Sequence, residues 1–415
     1  MRFFTDDDFQ FGIEMVLGGA YRQNTDIGES LATAERIPDG DADAWIREWI
    51  ATADGAWGAG ETARHAGRKI TALSFYRKAA TYYTTALYCV AKAKDFGSER
   101  ELATWRRHRE CWEHVVDLSP VPGERLEIPY QGTTLKGYFF RAPDAEPGER
   151  RPLVIMNNGS DGATSAMWGH GGAAAGERGY HWMTFDGPGQ QHALYEQDIP
   201  FRHDWEAVLT PVVDAMVARA DVDADRIAVI GVSQAGFWVP RALAFEHRLA
   251  AAVADGGVVD ISRSWLAPLP ASMRELLETG QKDAFDAVAR KAEAANPAAT
   301  ATLEFRGRPY GITNGSRYDL YKAVSAYRIG NEVNDINTPM LICAPDDDQF
   351  LPGQSQELYD RLAGEKKLAR FTAEEGADRH CEPMGVAVRD ARIFDWLDGY
   401  LSAYRSASHG HSIRP

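Results

Sequence analysis

Cysteine is scarce: Cys89, Cys111, Cys343 and Cys381 stand far apart in 415 residues, and no two share CxxC spacing. That excludes a disulfide framework and a zinc site of the usual kind, and fits reduced thiols in the cytoplasm. No apolar run approaches the roughly 18 residues of a membrane-spanning helix. The opening stretch MRFFTDDDFQFGIEM sets three aspartates where an export signal would carry its apolar segment. A basic balance is also missing. With 45 Lys and Arg against 60 Asp and Glu, the net charge is −15, which argues against nucleic acid as a partner because phosphate binding needs a basic face. Neither a phosphate-binding loop nor a dinucleotide fingerprint appears, so nothing calls for a metal or cofactor.

What is present is a 44 % hydrophobic chain, enough for one large domain and a smaller one. From Thr5 to about Ser119 the texture is helical. In TARHAGRKITALSFYRKAATYYTTALYCVAKAK, Ile70, Leu73, Phe75, Ala79 and Tyr83 fall mostly three or four apart, which predicts one apolar stripe on a helix. Prolines 120 and 122 and Gly123 then punctuate a boundary, giving a helical region 1–122 and a second domain 123–405. In that second domain ERLEIPYQG and TLKGYFFRA read as a hairpin around Gln131 and Gly132. The apolar runs PLVIMNNG, HWMTFDGPG, RIAVIGVS, LAAAVADGG, TPMLICAPDDD and LARFTAEEG follow, mostly separated by helical stretches. Such alternation predicts a doubly wound α/β fold with a parallel sheet buried on both faces. One connection, about 258–336, is too long for a simple crossover and reads as a helical insertion over a site. The end, 406–415, is polar, and His409 and His411 there are expected in solvent.

The segment RIAVIGVSQAGFWVPRALAFE carries the chemistry. A strand ends, Gly231-Val232-Ser233-Gln234-Ala235-Gly236 follows, and a helix begins. This is the pattern of a nucleophile elbow, a tight turn that holds a serine above a sheet edge with the next amide, that of Gln234, beside it. The usual motif has glycine where Ala235 stands. Such a fold needs an acid after a later strand and a histidine after the last one. Asp346, Asp347 and Asp348 follow MLICAP. Spacing favours Asp348, with Asp346 in reserve. His380 follows the last strand, in Ala377-Asp378-Arg379-His380-Cys381, and Cys381 reads as a small filler beside it. The order Ser, Asp, His is that of the α/β-hydrolase fold. A second oxyanion donor is expected after PLVIMNNG, at Ser160 or its neighbour Gly159. Asp161 there either clamps the loop or touches substrate. His380 would take the Ser233 proton as Oγ attacks a carbonyl, with Asp348 fixing the imidazole tautomer.

The series NNGSDG, TFDGPGQ, GVSQAGFW, DQFLPGQS and EGADRHCEPM, behind a helical N-terminal region, resembles a group of bacterial and fungal α/β-hydrolases. That group includes the polyketide-shortening enzymes of pigment pathways, and 2,6-dihydroxypseudooxynicotine hydrolase and the fermentation–respiration switch proteins look like its wider relatives. The resemblance covers nearly the whole chain. It implies Ser233, Asp348 and His380 as a catalytic triad, a helical cap over the site, no cofactor, and a homodimer. It also implies cleavage of an ester or of a carbon–carbon bond in a β-diketone-like small molecule. Ala235 and Gln191 depart from it, since relatives often carry glycine there. The aromatic residues of the first region (Trp45, Trp49, Trp57, Tyr76, Tyr82, Tyr83, Trp105, Trp112) are expected mostly to pack helix on helix, with Tyr82 or Tyr83 reaching substrate. Two other readings use the same residues: acyl transfer, cyclisation or elimination without net hydrolysis, and a non-catalytic regulatory binding protein on a retired scaffold.

Overall fold

A computed structural model describes residues 2–94, 97–121 and 123–402. The 406–415 end with His409 and His411 lies outside the described residues. Five helices come first: α1 (Asp7–Gly19), α2 (Ile27–Ala34), α3 (Ala42–His65), α4 (Lys69–Leu87) and α5 (Ser98–Leu118). Aspartates start three of them. Asp6 accepts from the amides of Asp8 and Phe9, Asp26 from that of Glu29, and Asp41 from that of Ala44, each satisfying donors that a helix start leaves unpaired.

The apolar stripe of α4 runs in a different phase from the one expected. Ile70 is 87 % exposed, while Ala72, Tyr76, Ala79, Ala80, Tyr83 and Ala86 are buried. Alanines let α3 and α5 approach closely, so close packing outweighs the hydrophobicity of one first-turn isoleucine.

Eight strands form one sheet: β1 (Glu124–Tyr130), β2 (Thr133–Phe140), β3 (Arg151–Asn157), β4 (His181–Phe185), β5 (Val222–Val232), β6 (Ala251–Asp255), β7 (Met340–Pro345) and β8 (Lys366–Phe371). Their order is β1-β2-β4-β3-β5-β6-β7-β8; β2 pairs antiparallel with both neighbours, and every other pairing is parallel. The β1–β2 hairpin turns on Gln131 and Gly132, whose φ values of 39° and 82° are the left-handed pair such a tight turn requires. All five residues of β4 and all five of β6 are buried, as expected of strands covered on both faces.

One face of the sheet packs against Trp205, Trp238, Tyr310 and Tyr327. The other packs against Trp112 and Val115 of α5, Tyr76 of α4 and Phe394. The first helices therefore share a core with the sheet. Half-buried Arg109 of α5 also pairs with buried Asp186 just past β4 at 2.9 Å. Between β6 and β7 lie five helices, from Ser262–Leu266 to Arg317–Val324, in the region of the expected insertion. Arg308 of this segment bonds Glu101 of α5, so insertion and first helices meet. Among the described residues no helix is long and apolar enough to cross a membrane.

Candidate active site

The turn after β5 is tight because three backbone segments converge on it. Ser233 has φ 58°, and its N–H donates to the Asp255 carbonyl at 2.5 Å. A Cβ at Gly231 would collide with the Ala235 carbonyl, and one at Gly236 with the Gly256 carbonyl. The position that cannot carry a side chain on the helix side is thus 236, and Ala235 opens the helix Ala235–Leu243 fully buried. That explains why alanine is accommodated where the motif usually has glycine.

Three predicted side chains meet in one line. Ser233 Oγ is 2.9 Å from His380 Nε2, and His380 Nδ1 is 3.0 Å from both carboxylate oxygens of Asp348. Asp348 also accepts the amides of Phe350 and Leu351 at 2.9 Å. Burial pushes its carboxyl up, but His380 and these amides outweigh that and hold it below its ordinary value. The reserve candidate Asp346 instead pairs with Arg370, and Asp347 with Arg379, each at 2.8 Å. Gln349 accepts the His380 amide at 3.2 Å, and the Phe350 ring stands edge-on to the imidazole at 5.1 Å. Cys381 is buried, with its thiol donating to the Asp255 carbonyl; burial raises that thiol well above its ordinary pKa, so it is an inert filler.

The candidate oxyanion donors divide. The Gly159 amide is spent on Asn158 Oδ1 at 2.8 Å, which corrects the expectation that it faces substrate. What Gly159 supplies is clearance, because a Cβ there would sit 2.8 Å from the Ser233 Cβ. The amides of Gln234 and Ser160 donate to no protein acceptor among the described residues. Gln190, the last residue of the TFDGPGQ segment, fixes this loop. Its Nε2 donates to the carbonyls of Asn158 and Gly159 at 2.7 and 2.6 Å, and its Oε1 accepts the Gly187 amide at 2.8 Å. Trp205 Nε1 holds Asn157 Oδ1 at 2.7 Å from below the same loop.

Asp161 has an exposed carboxylate that accepts from Ser160 Oγ, while its carbonyl accepts from Gln191 Nε2 at 3.1 Å. Gln191 (φ 26°) in turn accepts Trp105 Nε1 of α5 at 2.7 Å, so its side chain ties the first helices to this loop in return for a backbone that glycine would adopt more easily. Tyr82 and Tyr83 do not reach the site. Both are buried among the first helices, with Tyr82 donating to Glu29 and Tyr83 to Asp54. Aromatics that do approach it are Phe11 of α1, edge-on to Phe350 at 5.4 Å, and Tyr88 just past α4, beside Phe11 at 6.4 Å. Burial pushes the Tyr88 phenol up, and the charges of Asp8 and Asp161 add to it. The signal for Tyr88 is its place at a helix end rather than its mid-helix phase. Among the described residues, Asp255, Cys343 and Glu382 are the group whose ligand atoms converge as a metal's would, within 4.8 Å.

A strand–turn–helix serine at the centre of this sheet order defines the α/β-hydrolase fold, and the chain is an enzyme of that class. Over 276 residues it is 33 % identical to the hydrolase acrC of Aspergillus aculeatus, covering 63 % of this chain and 64 % of that one, so the match spans less than two thirds of acrC. It is 27 % identical over 420 residues to the 20-hydroxy-prefusarin hydrolase FUS2 of Gibberella moniliformis, covering 97 % and 98 % of the two chains. The crystal structure of 2,6-dihydroxy-pseudo-oxynicotine hydrolase shares the fold, with a TM-score of 0.71 at 19 % identity over 93 % of this chain and 96 % of that one. No family model matches the chain.

Proposed function

We propose that this enzyme is a serine hydrolase that opens an ester, or an activated carbon–carbon bond of a β-diketone type, in a small aromatic or polyketide-like molecule. The observation that carries this reading is the unbroken line Asp348–His380–Ser233, with contacts of 3.0 and 2.9 Å. Ser233 Oγ attacks the carbonyl carbon as its proton passes to His380 Nε2, and Asp348 stabilises the imidazolium. The oxyanion lies against the amides of Gln234 and Ser160. His380 then returns the proton to the departing alkoxide or, for a diketone, to the enolate carbon, leaving an acyl-Ser233. Water, deprotonated by His380, clears it. The rings of Phe350, Phe11 and Tyr88, set in series beside His380, support a small, flat substrate rather than a polymer. The relatives named as hydrolases, FUS2 with 20-hydroxy-prefusarin in its name among them, support the substrate class.

Intact-mass measurement after treatment with a fluorophosphonate tests this, comparing wild type with Ser233→Ala. One adduct, mapped to Ser233 and absent in the variant, is the expected result, followed by turnover of aryl esters or β-diketones. A folded wild-type protein that gains no adduct and turns over neither class would overturn the reading.

A further inference from the structure

Two carboxyl groups meet beside the triad: Asp255, the last residue of β6, is 1 % exposed, and Glu382, two residues after His380, is fully buried. Their oxygens and the Cys343 sulfur lie within 4.8 Å of one another. None of the four carboxyl oxygens accepts a hydrogen bond from an N–H or O–H group of the described residues. Two carboxylates in that state would be orphaned charges repelling each other where water cannot reach. The charged and titratable groups facing them are Arg389 from the helix Val386–Leu401, His380 and Asp348 from the triad, and the thiols of Cys343 and Cys381. Arg389 donates to Asp390, His170 and the carbonyls of Gly169 and Cys381, and to neither carboxyl. It therefore acts on the pair only through space, and two charges on the pair would exceed what it offsets.

We infer that Asp255 and Glu382 share one proton, the Glu382 carboxylic acid donating to the Asp255 carboxylate, and that the pair is a positioning device for Ser233 and His380. The connection to both is direct. The Asp255 carbonyl accepts the Ser233 amide at 2.5 Å and the Cys381 thiol at 3.3 Å. Cys381 and Glu382 form the left-handed turn, φ 56° and 48°, that follows His380. One shared proton thus ties the nucleophile's turn to the base's loop. Burial, and then the charge of Asp255, push the Glu382 carboxyl well above its ordinary value, in keeping with a proton held at neutral pH. Losing it would put a second negative charge beside Asp348 and His380 and break the link.

Because this role presupposes that Ser233 and His380 react, two readouts are needed. The first is independent of activity: the infrared carboxylic-acid C=O band of the full chain, expected at neutral pH in wild type, bleaching as pH rises, and absent in Glu382→Gln. The second is the rate of fluorophosphonate labelling at Ser233 across the same pH range. Wild type should lose rate with the midpoint of the infrared band. Glu382→Gln, whose amide still donates to Asp255, should label within about threefold of wild type at neutral pH and keep its rate at alkaline pH, while Glu382→Leu should label at least about tenfold more slowly. Absence of the acid band in wild type, an unchanged alkaline loss in Glu382→Gln, or a stoichiometric metal ion in the purified protein would overturn the shared proton. A wild type that shows the band but never labels would instead refute the hydrolase reading and leave the pair standing.

Discussion

Gln190 Nε2 lies 2.6 Å from the carbonyl oxygen of Gly159, whose Cα passes against the Ser233 side chain. A single buried amide therefore sets the distance between the loop after β3 and Ser233. It also bonds Asn158 and Gly187, so its three contacts bind two loops that the sheet alone would leave free to shift.

Replacing Gln190 with Ala should act on the transition state more than on substrate binding. Two carbonyls and one amide lose their partner in a dry place, which costs roughly 1–3 kcal/mol of stability. A Ser160 amide displaced from the oxyanion should lower kcat by about 10²-fold with little change in KM. Steady-state kinetics on an aryl ester and a melting curve check both. A KM effect without a kcat effect would mean that the loop binds substrate and does not stabilise charge.

Asp348 and Asp346 offer a matched pair. Asp348→Asn should drop kcat by about 10⁴-fold, since the imidazole tautomer is no longer held, whereas Asp346→Asn should leave it unchanged. Asp348 also predicts a pH dependence of stability. Its folded pKa is depressed, so its stabilisation is present above the ordinary carboxyl value of about 3.9 and is lost as pH falls through the lower folded value. The stability gap between wild type and Asp348→Asn should therefore narrow as the acid range is entered, which denaturant titrations at several pH values would measure.

The convergence of these three side chains was legible because each sits after a strand of the sheet: Ser233 after β5, Asp348 after β7, His380 after β8. The strands were equally legible, since β3, β5, β6 and β7 are apolar runs with turn residues at their ends. What escaped depends on contacts that spacing does not encode. Tyr82 and Tyr83 looked like substrate residues, yet helix phase is decided by the partner helix, and α4 turns both into its own bundle. Gly159 looked like a donor until the Asn158 side chain proved to hold its amide. Glu382 and Asp255 lie on different elements far apart in sequence, so only the folded chain brings their carboxyls together.

The elbow makes an opposite forecast for adjacent positions. Ala235→Gly should cost only about 0.5–1 kcal/mol, the usual price of glycine in a helix, and leave labelling of Ser233 intact. Gly236→Ala drives a methyl into the Gly256 carbonyl, which is backbone and cannot rotate away. The β6 end would have to move, and with it the Asp255 carbonyl that holds the Ser233 amide. Loss of labelling with a lowered melting temperature is expected in Gly236→Ala. Normal labelling there would show that the turn has more room than its geometry indicates.

Tyr83 and Tyr88, one turn or so apart in sequence, should separate stability from specificity. Tyr83→Phe removes a hydrogen bond to Asp54 inside the helical layer and should cost about 1 kcal/mol with unchanged kcat/KM. Tyr88 stands at the end of α4 beside Phe11, with the charge of Asp161 from the loop after β3 bearing on its phenol. Tyr88→Ala should raise KM roughly tenfold for a flat aromatic ester, and less for a short aliphatic one that never reaches the ring. Tyr88→Phe should keep most of the affinity if the ring face is what binds, and lose it if the hydroxyl does. Equal KM changes for aromatic and aliphatic esters would remove Tyr88 from the substrate wall.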